Sequence, residues 1–372
     1  MKILLTSEFY YPHIGGAEEV VRRIAEGMHK KGHEVTVATS FLKERNFDVL
    51  NGVKIVQFKI FGNKVKGLKG NLEGYVNYLK RSSFDLVCNY AAQNWTTDLA
   101  LDILDEINGK KILFPCGYSG LTSFLRRILY WNYFRKLPAY LKKYDYIIYH
   151  SQSYIDKQFG DKHGIFKYSV IPNGVDPEEM KFNNINFREK YGIKTNFMIL
   201  NVSNHYKVKG HSFLFKMYKI LSRSDVSLVI IGNKVEGYNS CYNQCKRNSL
   251  TMKNVFVLEN VPREDIVAAY NQADVFVLTS KIEAFPLVVL EAASVGLPFI
   301  STEVGNLKEL KGGIIAQSPE EMAASIDKLL DNPQYRKNLG LEGRKQVLER
   351  YTWENILQQY ENVFIKVMQR RL

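Results

Sequence analysis

The chain has 372 residues, 45% hydrophobic and 24% charged, with a formal net charge of +13. Such a composition excludes a disordered chain, and the length suits two domains that each bury a core. No run of about 18 apolar residues occurs, which excludes a spanning helix, and Met1–Thr6 is too short for a signal peptide and leads directly into a strand. Cys88, Cys116, Cys241 and Cys245 are scattered apart from one Cys-x3-Cys pair. They give neither a disulfide framework nor a zinc spacing, so a reducing compartment with no metal and no cofactor is expected. The positive charge calls for an anionic partner; without a zinc-finger or RNA-recognition signature, specific nucleic-acid binding is disfavoured against an anionic membrane surface or a nucleotide diphosphate.

Residues 2–6 read as a buried strand, and Ala17–Lys31 as a helix through Val20, Val21, Ile24, Ala25 and Met28. This is a Rossmann-like opening. The Gly15-Gly16 pair between them reads either as a tight turn needing positive φ or as a backbone approach to a bound group, and ligands of open α/β sheets bind beyond the carboxyl ends of strands. Further strands are expected at His33–Thr39, Val53–Phe58 and Asp85–Cys88. Between the last two, Lys59, Lys64, Lys66, Lys69, Lys80 and Arg81 read as a basic, solvated surface.

Lys111–Ser119 is a strand running into a glycine turn with Cys116, Gly117 and Tyr118. After it, Thr122–Lys143 contains no acid and interleaves Arg126, Arg127, Arg135 and Lys136 with Phe124, Leu125, Trp131 and Tyr133. Basic residues mixed with aromatic ones suit the head-group boundary of an anionic membrane. An acceptor groove for an anionic glycan explains the charge equally well. Tyr144–Ser151 is the last strand of the first half, and Ile171-Pro-Asn-Gly-Val-Asp-Pro177 is a dense turn signal that marks the linker.

Asn196–Ser203 opens a second Rossmann-like half, followed by strands at Val226–Gly232, Val255–Leu258, Val275–Leu278 and Phe299–Gly305. A helix is expected over Glu264–Gln272, and another from about Pro286 to Val295, ended by Gly296 and Pro298. Glu283 precedes that helix and Glu291 lies within it. At ~1.5 Å per residue the two carboxylates stand on the order of 12 Å apart. That exceeds the ~5 to ~9.5 Å of a glycosidase pair and approaches the span from sugar to ribose in a nucleotide-sugar. Ala284, Phe285 and Leu287 offer N–H groups between them at the positive end of the helix dipole. A solvated Glu283 before a buried helix reads this stretch equally well. Amphipathic helices follow at Pro319–Leu330, Pro333–Arg350 and Tyr351–Met368.

The stretch Glu283–Glu309 resembles the E-x7-E region of retaining glycosyltransferase family 4. Gly15-Gly16, Ile171–Asp176, Lys209-Gly210, Leu228–Gly232 and Tyr270–Ser280 fall in the family's order along nearly the whole chain. The resemblance implies an α/β GT-B fold: two Rossmann-like domains across a cleft, residues 1–171 completed by a returning helix at about 352–372, and residues 172–351. It implies transfer of a sugar from a nucleotide-diphosphate sugar, UDP or GDP, to a glycan or lipid-linked acceptor with retention, in surface polysaccharide or glycolipid synthesis. No Asp-x-Asp occurs to hold a metal-bound diphosphate. Lys209 would oppose the diphosphate with Gly15, Gly16 and the amides around Phe285, Pro286 and Leu287. Glu283 would hold the donor sugar, Glu291 the ribose, and backbone around Gly232 and Val261 the base. Asn204 stands where the family has an arginine, and Cys116, beside Gly117 and Tyr118 at the acceptor or sugar, where it has a histidine. The expected location is cytoplasmic, peripheral on the inner face of the plasma membrane. A nucleotide-sugar epimerase and a catalytically weak membrane scaffold are the rival readings.

Overall fold

The computed structural model describes residues 1–221, 223–235, 237 and 239–369. The chain forms two compact units: residues 1–173 together with the segment from Trp353 onward, and Gly174–Thr352.

The strands of the first unit are β1 (Lys2–Thr6), β2 (Glu34–Ser40), β3 (Val49–Leu50), β4 (Val53–Phe58), β5 (Ile60–Asn63), β6 (Gly67–Gly70), β7 (Leu86–Tyr90), β8 (Lys110–Phe114), β9 (Tyr146–Tyr149) and β10 (Tyr168–Val170). All but β5 and β6 join one sheet in the order β10-β9-β8-β7-β1-β2-β4-β3, parallel except for the β3 edge. Its central strands are almost wholly buried because helices cover both faces; Ile3, Leu4 and Leu5 have no exposed surface. The chain runs outward in one direction through β2 and β4 and in the other from β7 to β10. The order therefore reverses between β1 and β7, and the crevice that such a reversal opens lies at their carboxyl ends.

Helix Trp353–Gln369 belongs to this unit and presents Ile356, Tyr360, Val363, Phe364 and Val367 to its core at helical spacing. It packs on helix Gly16–Lys30, where a Cβ at Gly27 would come within 2.4 Å of Leu357. Glu361 accepts from Lys31 Nζ at 2.8 Å and lies 3.3 Å from His33 Nε2. The basic segment between β4 and β7 holds the antiparallel β5–β6 ribbon and helix Leu72–Arg81, with Lys59, Lys66, Lys69 and Arg81 exposed. Part of its charge is met locally: Lys64 pairs with Asp102 and lies over the Tyr140 ring, and Lys80 pairs with Glu106.

The second unit contains β11 (Phe197–Val202), β12 (Val226–Ile231), β13 (Val255–Leu258), β14 (Val275–Leu278), β15 (Phe299–Ser301) and β16 (Gly313–Ile315) in one parallel sheet ordered β13-β12-β11-β14-β15-β16. Numbered within the unit this is 3-2-1-4-5-6, the dinucleotide-fold order, with its switch point between β11 and β14. One core lies on each face, built around Phe276, Val289 and Phe299 on one side and Leu214, Ile300 and Ile326 on the other.

Candidate active site

The loops after β11 and β14 leave the sheet side by side at the switch point. After β11 the chain makes a short turn at Lys207–Lys209 and reaches Gly210 with φ +73°. A Cβ at Gly210 would lie 1.9 Å from the Thr279 carbonyl, so only glycine allows the two loops to approach this closely. The Thr279 hydroxyl donates to the Lys209 carbonyl at 3.1 Å, and the Lys281 N–H donates to the Val208 carbonyl at 2.8 Å. This lacing brings Lys209 Nζ to 2.7 Å from Glu283 Oε1. Both side chains keep some exposure, 26% and 15%.

Helix Leu287–Ser294 begins directly beyond. Pro286 occupies its N-cap, one position before the first turn assigned to it from sequence. No side chain caps this end, and the first N–H groups of any helix lack intrahelical acceptors, so Leu287 opens an amide-lined end. The Phe285 ring is buried against Tyr351, leaving its backbone as the part suited to a ligand. Gly305, at φ +56°, packs under this turn, where a Cβ would meet the Ala284 carbonyl at 2.6 Å. At the other end the N–H groups of Gly296 and Leu297 donate to the Ala293 and Ala292 carbonyls, a Schellman closure with Gly296 at φ +79°. Glu291 is only 15% exposed and accepts from Arg263 Nη2 at 2.6 Å. Sequence reasoning missed Arg263, having begun its helix one residue later; the helix is Arg263–Gln272.

The loops after β11, β12 and β13 are joined by asparagines. Asn204 Oδ1 accepts from the Asn233 N–H at 3.0 Å, and Asn233 Oδ1 accepts from the Asn260 N–H at 2.9 Å. Gly232 lies so close to this ladder that a Cβ would meet the Ser203 carbonyl at 2.0 Å. Val261 is half-buried against the core. Asn204 thus fixes loops where a cation is expected from the family pattern.

In the first unit, Gly15 is the N-cap of helix Gly16–Lys30 with extended φ −167°, and Gly16 also lacks positive φ. The tight-turn reading is therefore incorrect: a Cβ on Gly16 would meet nothing within 4 Å. Nearby, His13 Nδ1 lies 3.2 Å from Glu18. Burial, together with the charges of Glu18 and Asp98, pushes the Glu8 carboxyl up to about 7.

Cys116 has φ +56° at the end of β8, a strained conformation for a residue with a Cβ. Its thiol lies 3.4 Å from His150 Nε2, while His150 Nδ1 lies 3.0 Å from the Ile171 carbonyl. Burial lowers His150 to about 4 and raises the Cys116 thiol to about 12, so both are neutral at physiological pH. His150 then donates from Nδ1 and accepts at Nε2. The Gly117 N–H donates to Asp156 at 2.9 Å. Tyr118 is wholly buried, its ring packed edge-on against Phe134 and Phe159.

Beyond this loop, helices Phe124–Leu129 and Trp131–Lys143 bury Tyr133, Phe134, Leu137 and Leu141. Phe124, Leu125 and Trp131 are exposed by 77%, 78% and 62%. Arg126, Arg127, Arg135 and Lys136 are exposed among them, and the Arg135 guanidinium lies 5.1 Å from the Trp131 ring centre. No helix among the described residues is long and apolar enough to cross a membrane.

Two family models divide the chain between them. "Glycosyltransferase Family 4" matches residues 14–179, and "Glycosyl transferases group 1" matches residues 183–346. The chain belongs to glycosyltransferase family 4. It is 28% identical to an uncharacterized glycosyltransferase of Methanocaldococcus jannaschii over 98% of each chain, and 23% identical to the N-acetyl-alpha-D-glucosaminyl L-malate synthase of Bacillus anthracis over 96% of each. A capsular polysaccharide biosynthesis glycosyltransferase of Staphylococcus aureus is 29% identical over 52% of this chain and 54% of its own. Among solved structures, the sucrose-phosphate synthase of Thermosynechococcus elongatus superposes with a TM-score of 0.82 at 17% identity, covering 98% of both chains. An Anabaena protein in complex with UDP-glucose gives 0.78 at 17% identity, covering 98% of this chain and all of that one. These likenesses show the GT-B fold, and the family-4 membership makes the chain a glycosyltransferase that uses a nucleotide-sugar donor.

Proposed function

We propose that the chain transfers a sugar from a UDP- or GDP-sugar, with retention, to a glycan or lipid-linked acceptor at an anionic membrane surface. The observation that carries the donor reading is the pairing of Lys209 with Glu283 at the switch point of the second sheet, beside the amide-lined start of helix Leu287–Ser294. A lysine ammonium has three donors. One to Glu283 leaves others for a diphosphate oxygen, so the same cation orients the acid and opposes the leaving-group charge as it develops.

In this reading Glu283 holds hydroxyls of the donor sugar, and Glu291, fixed by Arg263, accepts from the ribose. The backbone around Gly232, Asn204 and Val261 receives the base. Transfer requires charge neutralisation, orientation and exclusion of water from an oxocarbenium-like transition state. Front-face substitution needs no protein nucleophile and agrees with the role given to Glu283. The acceptor side falls to the first unit, where the neutral Cys116–His150 pair offers polar contacts without a titrating base near neutral pH. A UDP-sugar is the first donor to test, since the Anabaena structure holds UDP-glucose and the donor-side backbone follows the same fold.

Membrane docking is supported by the apolar surface at Phe124, Leu125, Ile128, Leu129 and Trp131 with its rim of arginines. Contiguous exposed apolar surface of this kind marks an interaction site. A thermal-shift screen against UDP-, GDP-, ADP- and CDP-sugars tests the donor assignment. One nucleotide class should raise the Tm, and no shift with any of them would refute it.

A further inference from the structure

Outside the donor site, four side chains from two separate segments of the second unit converge. His205 comes from the loop after β11, His211 from the first position of helix His211–Ile220 that follows it, and Cys241 and Cys245 from the N-cap and first turn of helix Tyr242–Thr251. All four are buried, and one nitrogen or sulfur from each lies within 4.8 Å of the others. His211 Nδ1 is 3.2 Å from Cys241 Sγ, and the two sulfurs are 3.9 Å apart. Zinc–sulfur bonds of ~2.3 Å at tetrahedral angles place two thiolates about 3.8 Å apart. The sulfurs already stand at that spacing.

The His205 ring, with no exposed surface, finds no hydrogen-bond partner at either nitrogen among the described residues. A buried polar ring left unsatisfied pays its desolvation without return, whereas a metal bond would satisfy it. His211 is itself held by a chain of polar partners. His211 Nε2 lies 3.0 Å from Ser203 Oγ, which donates to Asn201 Oδ1 at 2.9 Å, and Asn201 Nδ2 donates to the Val277 carbonyl at 2.8 Å. That relay holds the Nε2 proton on His211 and turns Nδ1 toward the sulfurs, as outer partners do for metal-bound imidazoles. The backbone closes the same region: the Cys241 N–H donates to the His205 carbonyl and the Lys207 N–H to the Asn239 carbonyl.

We propose that His205, His211, Cys241 and Cys245 form a closed, structural zinc(II) site that ties the loop bearing Lys209 to helix Tyr242–Thr251. Four protein ligands and full burial leave no open position for a reacting water, which is the character of a structural site. Two thiolates and two imidazoles in a tetrahedral set select zinc among the common divalent ions. His205 and His211 flank the Lys207–Lys209 turn, so the metal would hold the cation assigned to the diphosphate; that consequence rests on the donor reading, while the metal site does not. The sequence carries the four residues as His-x5-His followed by Cys-x3-Cys, and only tertiary packing brings the two pairs together.

The test is metal analysis of the full chain expressed with zinc and purified under reducing conditions. One zinc per chain is expected, with a loss of about tenfold or more in metal affinity in Cys245→Ser and His205→Ala, while Cys88→Ala, in the first unit, keeps its zinc. Cobalt(II) added to chelator-treated wild-type protein should give the visible bands of a tetrahedral thiolate complex, a readout that no variant's folding can confuse. Zinc removal should lower the Tm. Protein purified with no zinc that gives no cobalt spectrum, or in which Cys241 and Cys245 form a disulfide instead, would overturn the site. Loss of donor binding with zinc retained would instead count against the donor reading alone.

Discussion

Lys209 Nζ stands 2.7 Å from Glu283 Oε1, joining two loops that leave adjacent strands at the point where the second sheet reverses its order. The contact depends on Gly210, because any side chain there would strike the Thr279 carbonyl and part the loops. Removing the cation should expose the cost of an unopposed diphosphate. Lys209→Ala is expected to lower kcat by about a hundredfold to a thousandfold, the range for loss of one transition-state donor. Glu283→Ala should reduce kcat more than it weakens donor binding, measured by initial rates against donor concentration. Gly210→Ala should produce both defects with the charges intact.

Glu8 supplies a pH dependence of stability. Its carboxyl is raised by burial, and by the neighbouring Glu18 and Asp98 charges, from an ordinary 4.5 to about 7. The folded chain therefore binds the proton more tightly than the unfolded one. Its contribution to stability is complete below pH 4.5 and is lost as pH rises through 7. Glu8→Gln should raise stability at pH 8 by on the order of 1–2 kcal/mol and leave it nearly unchanged at pH 4. Urea titrations at the two pH values decide it, and equal effects at both would contradict the shift.

The apolar and basic surface around Trp131 predicts adsorption to acidic vesicles. Wild-type protein should co-sediment with liposomes containing anionic lipid and remain in the supernatant with neutral ones. Replacing Phe124, Leu125 and Trp131 by Ser should abolish sedimentation by removing inserted area worth roughly 25 cal/mol per Å². Arg126→Glu with Arg127→Glu should weaken it by about 1 kcal/mol per charge. Equal recovery with both lipid types would remove membrane docking from the account.

The returning helix predicts a stability effect far from the donor site. Phe364 has no exposed surface and packs in the core of the first unit. Phe364→Ala should cost about 3–5 kcal/mol, read as a lower urea midpoint for that unit.

Much of this arrangement was legible in the sequence because local signals agree with it. Val53–Phe58, Val255–Leu258, Val275–Leu278 and Pro333–Arg350 were read with the boundaries they have, since apolar runs bounded by turns and a Pro-led helix are strong patterns. The β5–β6 ribbon was not legible: its four-residue strands, Ile-Phe-Gly-Asn and Gly-Leu-Lys-Gly, lack a run of apolar or β-branched residues and turn through positive-φ glycines at 62, 67 and 70. In the site, Lys209 and Glu283 were singled out separately, but their contact is a product of the switch point and lies 74 positions apart in the chain. Arg263 and the His205–Cys245 cluster were missed for the same reason, each being made by loops that only tertiary packing brings together. Tyr118 shows the converse, since a position read for its neighbours also packs within the aromatic core.

The central claim is that the second unit grips a nucleotide-sugar through Lys209, Glu283 and Glu291. Calorimetric titration of the wild type and of Glu291→Ala with the donor found by screening tests it most directly. The account predicts one donor bound per chain and a loss of about 1.5–3 kcal/mol of binding free energy in Glu291→Ala, the value of a hydrogen bond to a charged group. Equal affinity in the two proteins would contradict it.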